Sequence, residues 1–221
     1  MSPTLAITGS NLCGDAAFSA ALALDGETTV SSVPPAQRGD LARLCQELCA
    51  ARGVRPAALQ RLVVDVGPGS YTGLRVAVTF ARFLQQFGPL EVEGVCSLAV
   101  LARHATLDRD VPADVDVVRT LLDARRGRLH TAVHEVSAER VREREAANAA
   151  AVDEVLSRCD DAELLVAPTA FARTLREQRG LECVAAGGMD ASALLAQGLP
   201  RFAASVTDLE PRYLMASYAE D

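Results

Sequence analysis

Residues 67–75 read Gly-Pro-Gly-Ser-Tyr-Thr-Gly-Leu-Arg and lie between a strand-like run and a helix-like run. Before them, Leu62-Val63-Val64-Asp65-Val66 is short, apolar and rich in β-branched residues. After them, Leu74 to Phe87 contains neither Gly nor Pro. Three glycines and a proline at such a junction permit positive-φ turns and close approach of a neighbouring segment. A helix start also leaves backbone N–H groups unpaired, which favours phosphate or another anion there. The residues that would face it are Gly67, Gly69, Ser70, Thr72 and Gly73. The alternative is a tight turn whose glycines serve only helix–strand packing.

The spacing excludes the commonest phosphate loop. A Walker A loop needs Gly, four residues, then Gly-Lys-Ser/Thr. Here five residues separate Gly67 from Gly73, and Leu74-Arg75 follows. The dinucleotide pattern Gly-x-Gly-x-x-Gly fails as well, since its last glycine would fall at Thr72. Every one of the 22 basic residues is Arg. That excludes lysine-dependent chemistry, including Schiff bases and Ser–Lys dyads.

A formal charge of −7 argues against strong unaided tRNA or DNA binding, because backbone affinity needs clustered cations. The densest basic cluster, Arg125, Arg126 and Arg128, is small. Mixed charges through Glu139–Glu145 read as a solvated face. No 18-residue apolar run occurs and the start of the chain lacks a signal peptide's pattern, so the expected location is the cytoplasm. The six cysteines, at 13, 45, 49, 96, 159 and 183, form no Cys-x-x-Cys and read as free structural thiols.

Thr4–Thr8, Ala17–Leu24 and Glu27–Val33 read as strands, with Asp25-Gly26 as a hairpin signal. Residues 40–52 read as a helix capped by Asp40, with Leu41, Leu44, Cys45, Leu48 and Cys49 along one stripe. Leu62–Val66, the helix after the glycine turn, Glu91–Val95 and Leu98–Ala105 complete a βββαβαβα order. Residues 106–114 read as a crossing between two lobes, 1–107 and 108–221. In the second, Val115–Leu122, Arg128–Val136, Glu163–Val166 and Glu182–Val184 read as strands. Ala151–Arg158, Ala170–Arg179 and Ala191–Ala196 read as helices.

Around the helix after the glycine turn, apolar residues from Leu74 to Phe87 cover about 220° at 100° per residue. A helix lying on a sheet needs a stripe only a little over ~100° wide. Either this helix is enclosed within its own domain or one apolar face meets another chain. Phe80, Phe83 and Phe87 are half of the chain's six phenylalanines, and aromatic anchors dominate interfaces.

As a whole string, residues 67–75 resemble the signature of the TsaB family of bacterial tRNA threonylcarbamoyladenosine biosynthesis. Leu5-Ala6-Ile7, Gly94-Val95-Cys96-Ser97-Leu98, Leu122-Asp123-Ala124-Arg125-Arg126-Gly127 and Pro211-Arg212-Tyr213-Leu214 resemble further family segments in the same order. The resemblance implies an α/β, actin-like ATPase (ASKHA, RNase H-like) fold of two lobes with mixed sheets flanked by helices. It also implies a non-catalytic subunit that supports a TsaD-like enzyme, with a TsaE-like ATPase joining the assembly and a homodimer when the partner is absent. The partner interface would then use Leu41, Leu44, Cys45, Leu48, Val76, Phe80, Phe83, Leu84 and Phe87. Contact with tRNA is expected only through the complex.

Two departures weaken any nucleotide contact inherited from that family. TsaB-like sequences often read Asp-Thr-Ser after the first strand, where this chain has Thr8-Gly9-Ser10, and their Arg-x-His-Ser is matched by Gln37-Arg38-Gly39-Asp40. No cofactor is therefore expected to be required, with ATP or ADP at the partner junction left open. Asp123 is a second phosphate-side acid or a turn cap. His130 and His134 on a strand lie about 13 Å apart, too far to share a metal. Ser70 has no nearby histidine in sequence, so no catalytic or metal residue is assigned. The rival function is a metal-independent peptidase or small phosphotransferase of the glycoprotease/actin-like superfamily.

Overall fold

The computed structural model describes residues 2–11, 16–34, 40–107, 115–160, 162–187 and 189–215. Cys13, Gln37–Gly39 and most of the expected crossing at 106–114 lie outside the described residues. The chain forms two compact units. One comprises Met1–Ser97, Gly188–Ala196 and Arg201–Pro211; the other comprises Leu98–Gly187, Gln197–Pro200 and Arg212–Asp221. The sequence predicts a single division, at 107. The structure divides it at Ser97 and sends later segments back to the first unit, because a short strand near the C-terminus pairs with the first sheet.

In the first unit, β1 (Thr4–Thr8), β2 (Phe18–Leu24) and β3 (Glu27–Val33) form an antiparallel meander. β4 (Arg61–Gly67) joins β1 in parallel, β5 (Glu91–Cys96) joins β4 in parallel, and the late strand Arg201–Ala203 closes that edge against β5. The order from one edge is β3-β2-β1-β4-β5 and then the late strand. In the second unit, β6 (Val117–Asp123), β7 (Arg128–Val136) and β8 (Val141–Ala151) form an antiparallel meander. β9 (Leu164–Pro168) and β10 (Val184–Ala186) extend it in parallel from β6. Each unit thus has the 3-2-1-4-5 order with one antiparallel and one parallel half. This is the RNase H-like arrangement expected for an actin-like chain, present twice.

Local chemistry explains most of the first unit. α1 (Leu41–Ala51) starts at Asp40, whose carboxylate accepts from Arg43 N at 3.1 Å. Its stripe Leu41, Leu44, Cys45, Leu48 and Cys49 joins Leu5, Ile7, Leu22, Leu62 and Val64 in one core. α2 (Tyr71–Gln86) lays Ala77, Val78 and Ala81 against the same core, and its Leu74 is buried as well. α3 (Ser97–Leu107) follows β5 directly.

In the second unit, α4 (Val152–Ser157) and α5 (Thr169–Arg179) supply Val155, Ala172 and Leu175 to a core with Leu121 and Leu129. α5 ends on Gly180 in the left-handed conformation, a common helix stop. Residues 191–195, which return to the first unit, form a 3-10 turn where the sequence predicts an α-helix. β8 went unrecognised because its outer residues stay exposed at the sheet edge, so no alternation marks it. Its mixed charges also block edge-to-edge pairing with other chains.

One buried group in the second unit has a direct consequence. His134 on β7 is fully buried, and neither ring nitrogen has a hydrogen-bond partner among the described residues. Burial lowers its pKa from 6.5 to about 4. The folded state therefore favours the neutral ring. Stability is complete above pH 6.5 and falls as pH drops from there to about 4, by on the order of 3 kcal/mol. His134→Leu removes that slope and raises stability at neutral pH, as chemical denaturation at pH 7 and pH 4.5 will show. Equal acid sensitivity in the variant would refute this assignment.

Candidate functional site

The glycine junction is a packed contact. Ser70 caps α2: its Oγ accepts from Gly73 N at 3.3 Å, while its own N donates to Ser10 O at 2.8 Å. A Cβ on Gly73 would lie 1.9 Å from Gly9 O, and one on Gly9 would lie 2.4 Å from Gly73 O. A Cβ on Gly69 would meet Ser10 O at 2.6 Å. Gly67 is buried at positive φ, and Thr72 is exposed. The five residues do come together, but the backbone of Gly9 and Ser10 fills the space beside Gly69 and Gly73. Helix–strand packing, the alternative weighed for these glycines, is what the geometry supports.

Beneath this junction sits a residue to which the sequence reading gave no role. Asp65, near the end of β4, is fully buried. Thr8 Oγ1 donates to its Oδ2 at 2.8 Å, and Gly67 N and Ser97 Oγ donate to its Oδ1 at 2.9 and 2.5 Å. Ser10 adds a further side-chain hydrogen bond. The acid missing from the first strand is thus met by one on the parallel neighbour, gripped by Thr8 itself. Burial pushes the Asp65 carboxyl above the usual carboxylate range, outweighing those hydrogen bonds. With its lone pairs engaged from several sides, the group ties the ends of β1 and β4 to the start of α3 and offers no open face to a cation. The available signal was a lone Asp inside the apolar run 62–66, which burial obliges to find donors.

Asp65→Asn keeps an acceptor for Gly67 and Ser97 and removes the buried charge, so stability stays within about 1 kcal/mol at pH 7. Asp65→Ala strands those donors and costs about 3 kcal/mol. Because its folded pKa is raised, the carboxyl's contribution is present at low pH and is lost as pH rises through that value. The Asn variant lacks this term. Urea titrations of both variants decide the matter; an Ala variant as stable as wild type would show that the cradle has no structural role.

Other candidate groups have ordinary partners. Asp123 Oδ1 accepts from Arg125 N at 2.7 Å, the turn-cap alternative. His104 Nε2 pairs with Gly187 O at 2.7 Å. His130 and His134 lie four apart on β7, and no cluster of three or more His, Cys, Asp or Glu suited to a metal occurs among the described residues.

The α2 surface differs from both. Its inward face is buried, yet Val76, Phe83 and Phe87 on the opposite side are 39%, 56% and 74% exposed. The Phe83 and Phe87 rings touch at a tilt of 50°, with centroids 4.6 Å apart. Thr72, Arg75, Val76, Thr79, Phe80 and Phe83 line a cleft of about 560 Å³. Phe80 and Leu84 are half-buried and also pack on the core. α1 differs from expectation: Leu41, Leu44, Cys45 and Leu48 are buried in the core, and Arg43, Gln46 and Glu47 face outward. A stripe at helical spacing marks the face turned inward, so these four residues give no apolar surface to a partner. The exposed apolar stripe lies on α2.

The family model described as "TsaD: tRNA N6-adenosine threonylcarbamoyltransferase" matches residues 36–164, more than half of the chain. The tRNA threonylcarbamoyladenosine biosynthesis protein TsaB of Bacillus subtilis (strain 168) is 35% identical over 83 residues. That match spans 36% of this chain and 32% of the relative. Two solved structures share the fold over 97% of this chain and the whole of theirs. One is an uncharacterized protein with similarity to peptidase YeaZ from Pseudomonas aeruginosa (TM-score 0.75, 22% identity), and the other is YeaZ from Pseudomonas aeruginosa (TM-score 0.74, 20% identity). With its family model matched over more than half of its length, the chain belongs to the tRNA N6-adenosine threonylcarbamoyltransferase (TsaD) family.

Proposed function

We propose that this chain is a non-catalytic subunit that binds and supports a TsaD-like enzyme, which transfers a threonylcarbamoyl group to the adenosine beside the tRNA anticodon. The observation that carries the reading is the exposed apolar stripe of α2, with Val76, Phe83 and Phe87 beside a cleft. Paired aromatics left in water on a helix that already has a buried face are the kind of anchor that interfaces use. A TsaE-like ATPase would join the assembly, and a second copy of the chain would cover the stripe when the partner is absent. The setting is the cytoplasm; no helix of the described residues is long and apolar enough to cross a membrane.

The reading requires no cofactor of this chain. ATP or ADP at the partner junction is the open question, and calorimetry on the chain with and without its partner answers it. The peptidase or phosphotransferase alternative has little to stand on: Ser70 is engaged as a helix cap, Asp65 is enclosed and Asp123 caps a turn. Co-purification with the TsaD-like subunit of the same organism tests the main reading. Failure to associate, together with hydrolytic activity lost on Asp123→Ala, would replace it.

A further inference from the structure

The hairpin between β6 and β7 carries three consecutive residues in the left-handed region, Arg125 (φ 65°), Arg126 (φ 51°) and Gly127 (φ 69°). A side chain with a Cβ populates that conformation roughly tenfold less readily, which is why Gly, Asn and Asp fill such positions. Here two of the three are Arg. The backbone is held in place from both sides. Asp123 Oδ1 accepts from Arg125 N at 2.7 Å, Arg128 N donates to Arg125 O at 3.0 Å, and Ala124 N donates to Arg128 O at 3.0 Å. Arg128 is itself anchored on Ala149 O at 2.8 Å. Residues 125–128 are all exposed. A chain of net charge −7 therefore displays Arg125, Arg126 and Arg128 together on one fixed turn, at a conformational cost that Asn would avoid.

We propose that this turn is a contact for the phosphodiester backbone of RNA, with Arg125 and Arg126 each taking one phosphate. Guanidinium forks match phosphate oxygens, and a rigid backbone limits the ordering cost of presenting them. Four successive exposed residues at a hairpin end form a projection; a free nucleotide needs a concave site for its base and ribose. An RNA backbone needs only displayed cations. Naming RNA rests on the proposed function, whereas the anion preference rests on the turn. Two or three phosphates give weak binding alone, in keeping with a contact that acts within an assembly.

The test measures binding of an unmodified tRNA transcript between 50 and 200 mM salt, for the chain together with the TsaD-like subunit. Arg125→Asn/Arg126→Asn is expected to reduce the slope of log K against log salt by about 1.5, the loss of two phosphate contacts. Its melting temperature should equal or exceed wild type, since Asn tolerates the left-handed turn. Arg125→Lys/Arg126→Lys should retain most of the slope. An unchanged slope in the Asn variant overturns the inference. So does poly-L-glutamate competing as well as the transcript at equal charge, which would assign the turn to an acidic protein. If the two subunits do not associate, the proposed function fails, and the same titration on the chain alone at high concentration still decides this one.

Discussion

Phe83→Asp/Phe87→Asp should abolish co-purification of the TsaD-like subunit, weakening association at least 100-fold, while the melting temperature changes by no more than about 2 °C. Both rings are largely in water in the free chain, at 56% and 74% exposure, so the fold loses little when they go. In a complex each ring would be desolvated, and burying a phenylalanine contributes on the order of 2 kcal/mol before any penalty for the buried carboxylate. Phe80 is the wrong test residue, although its spacing nominates it equally. It is half-buried and packs against the core, so Phe80→Asp would destabilise the first unit and confuse loss of binding with loss of fold. Size-exclusion chromatography of each variant with the partner, beside calorimetric melting alone, separates the two effects. A Phe83/Phe87 double variant that still binds its partner would remove the physical basis of the scaffold reading.

Gly73→Ala should cost on the order of 3 kcal/mol or more, the reverse of what a glycine inside a helix normally predicts. In an unconstrained helix interior the change adds about 1 kcal/mol of stability. Here the new methyl would lie 1.9 Å from Gly9 O, a backbone atom at the end of β1 that has no rotamer to change. Relief would require moving α2 off the sheet or pulling Thr8–Ser10 away from it, which also disturbs the Thr8 and Ser10 hydrogen bonds to Asp65. Gly9→Ala should behave alike, its methyl falling 2.4 Å from Gly73 O. Gly88→Ala is the control: among the described residues nothing lies within 4 Å of its Cβ, and stability should be unchanged or slightly raised. Thermal denaturation of the three variants gives the answer. A Gly73→Ala protein as stable as the Gly88→Ala protein would mean that the junction is looser than the geometry requires.

These two effects sit on opposite faces of one helix, and the sequence shows each of them only in part. α2 is too apolar for a helix resting on a sheet, and that excess is a local property of residues 74–87. Which residues face out is not written there, and Leu41, Leu44, Cys45 and Leu48, expected on the partner surface, are core. An amphipathic stripe has the same spacing whether it meets its own sheet or another chain. The phosphate reading of the glycines failed to resolve for a similar reason. A glycine required by a neighbour's backbone and one required by a ligand look identical until the neighbour, Gly9 or Ser10, is in place.

By itself the amino-acid order determined whatever short-range chemistry controls. The spans of β1, β3 and β7 are those read from the residues and Asp40 caps α1, while the alternation of strands and helices shows an α/β chain and the two RNase H-like units are what the family resemblance implies. Only the tertiary structure decided the rest. Asp65 finds Thr8 and Ser97 from 57 and 32 residues away, β8 pairs at an edge where no burial pattern marks it, and Arg201–Ala203 returns to β5 across more than a hundred residues. Capping, turn formation and periodicity involve neighbours a few residues apart and leave a trace in the string. Pairing across the fold depends on which distant segments share a space, and that information exists only once the chain has closed on itself.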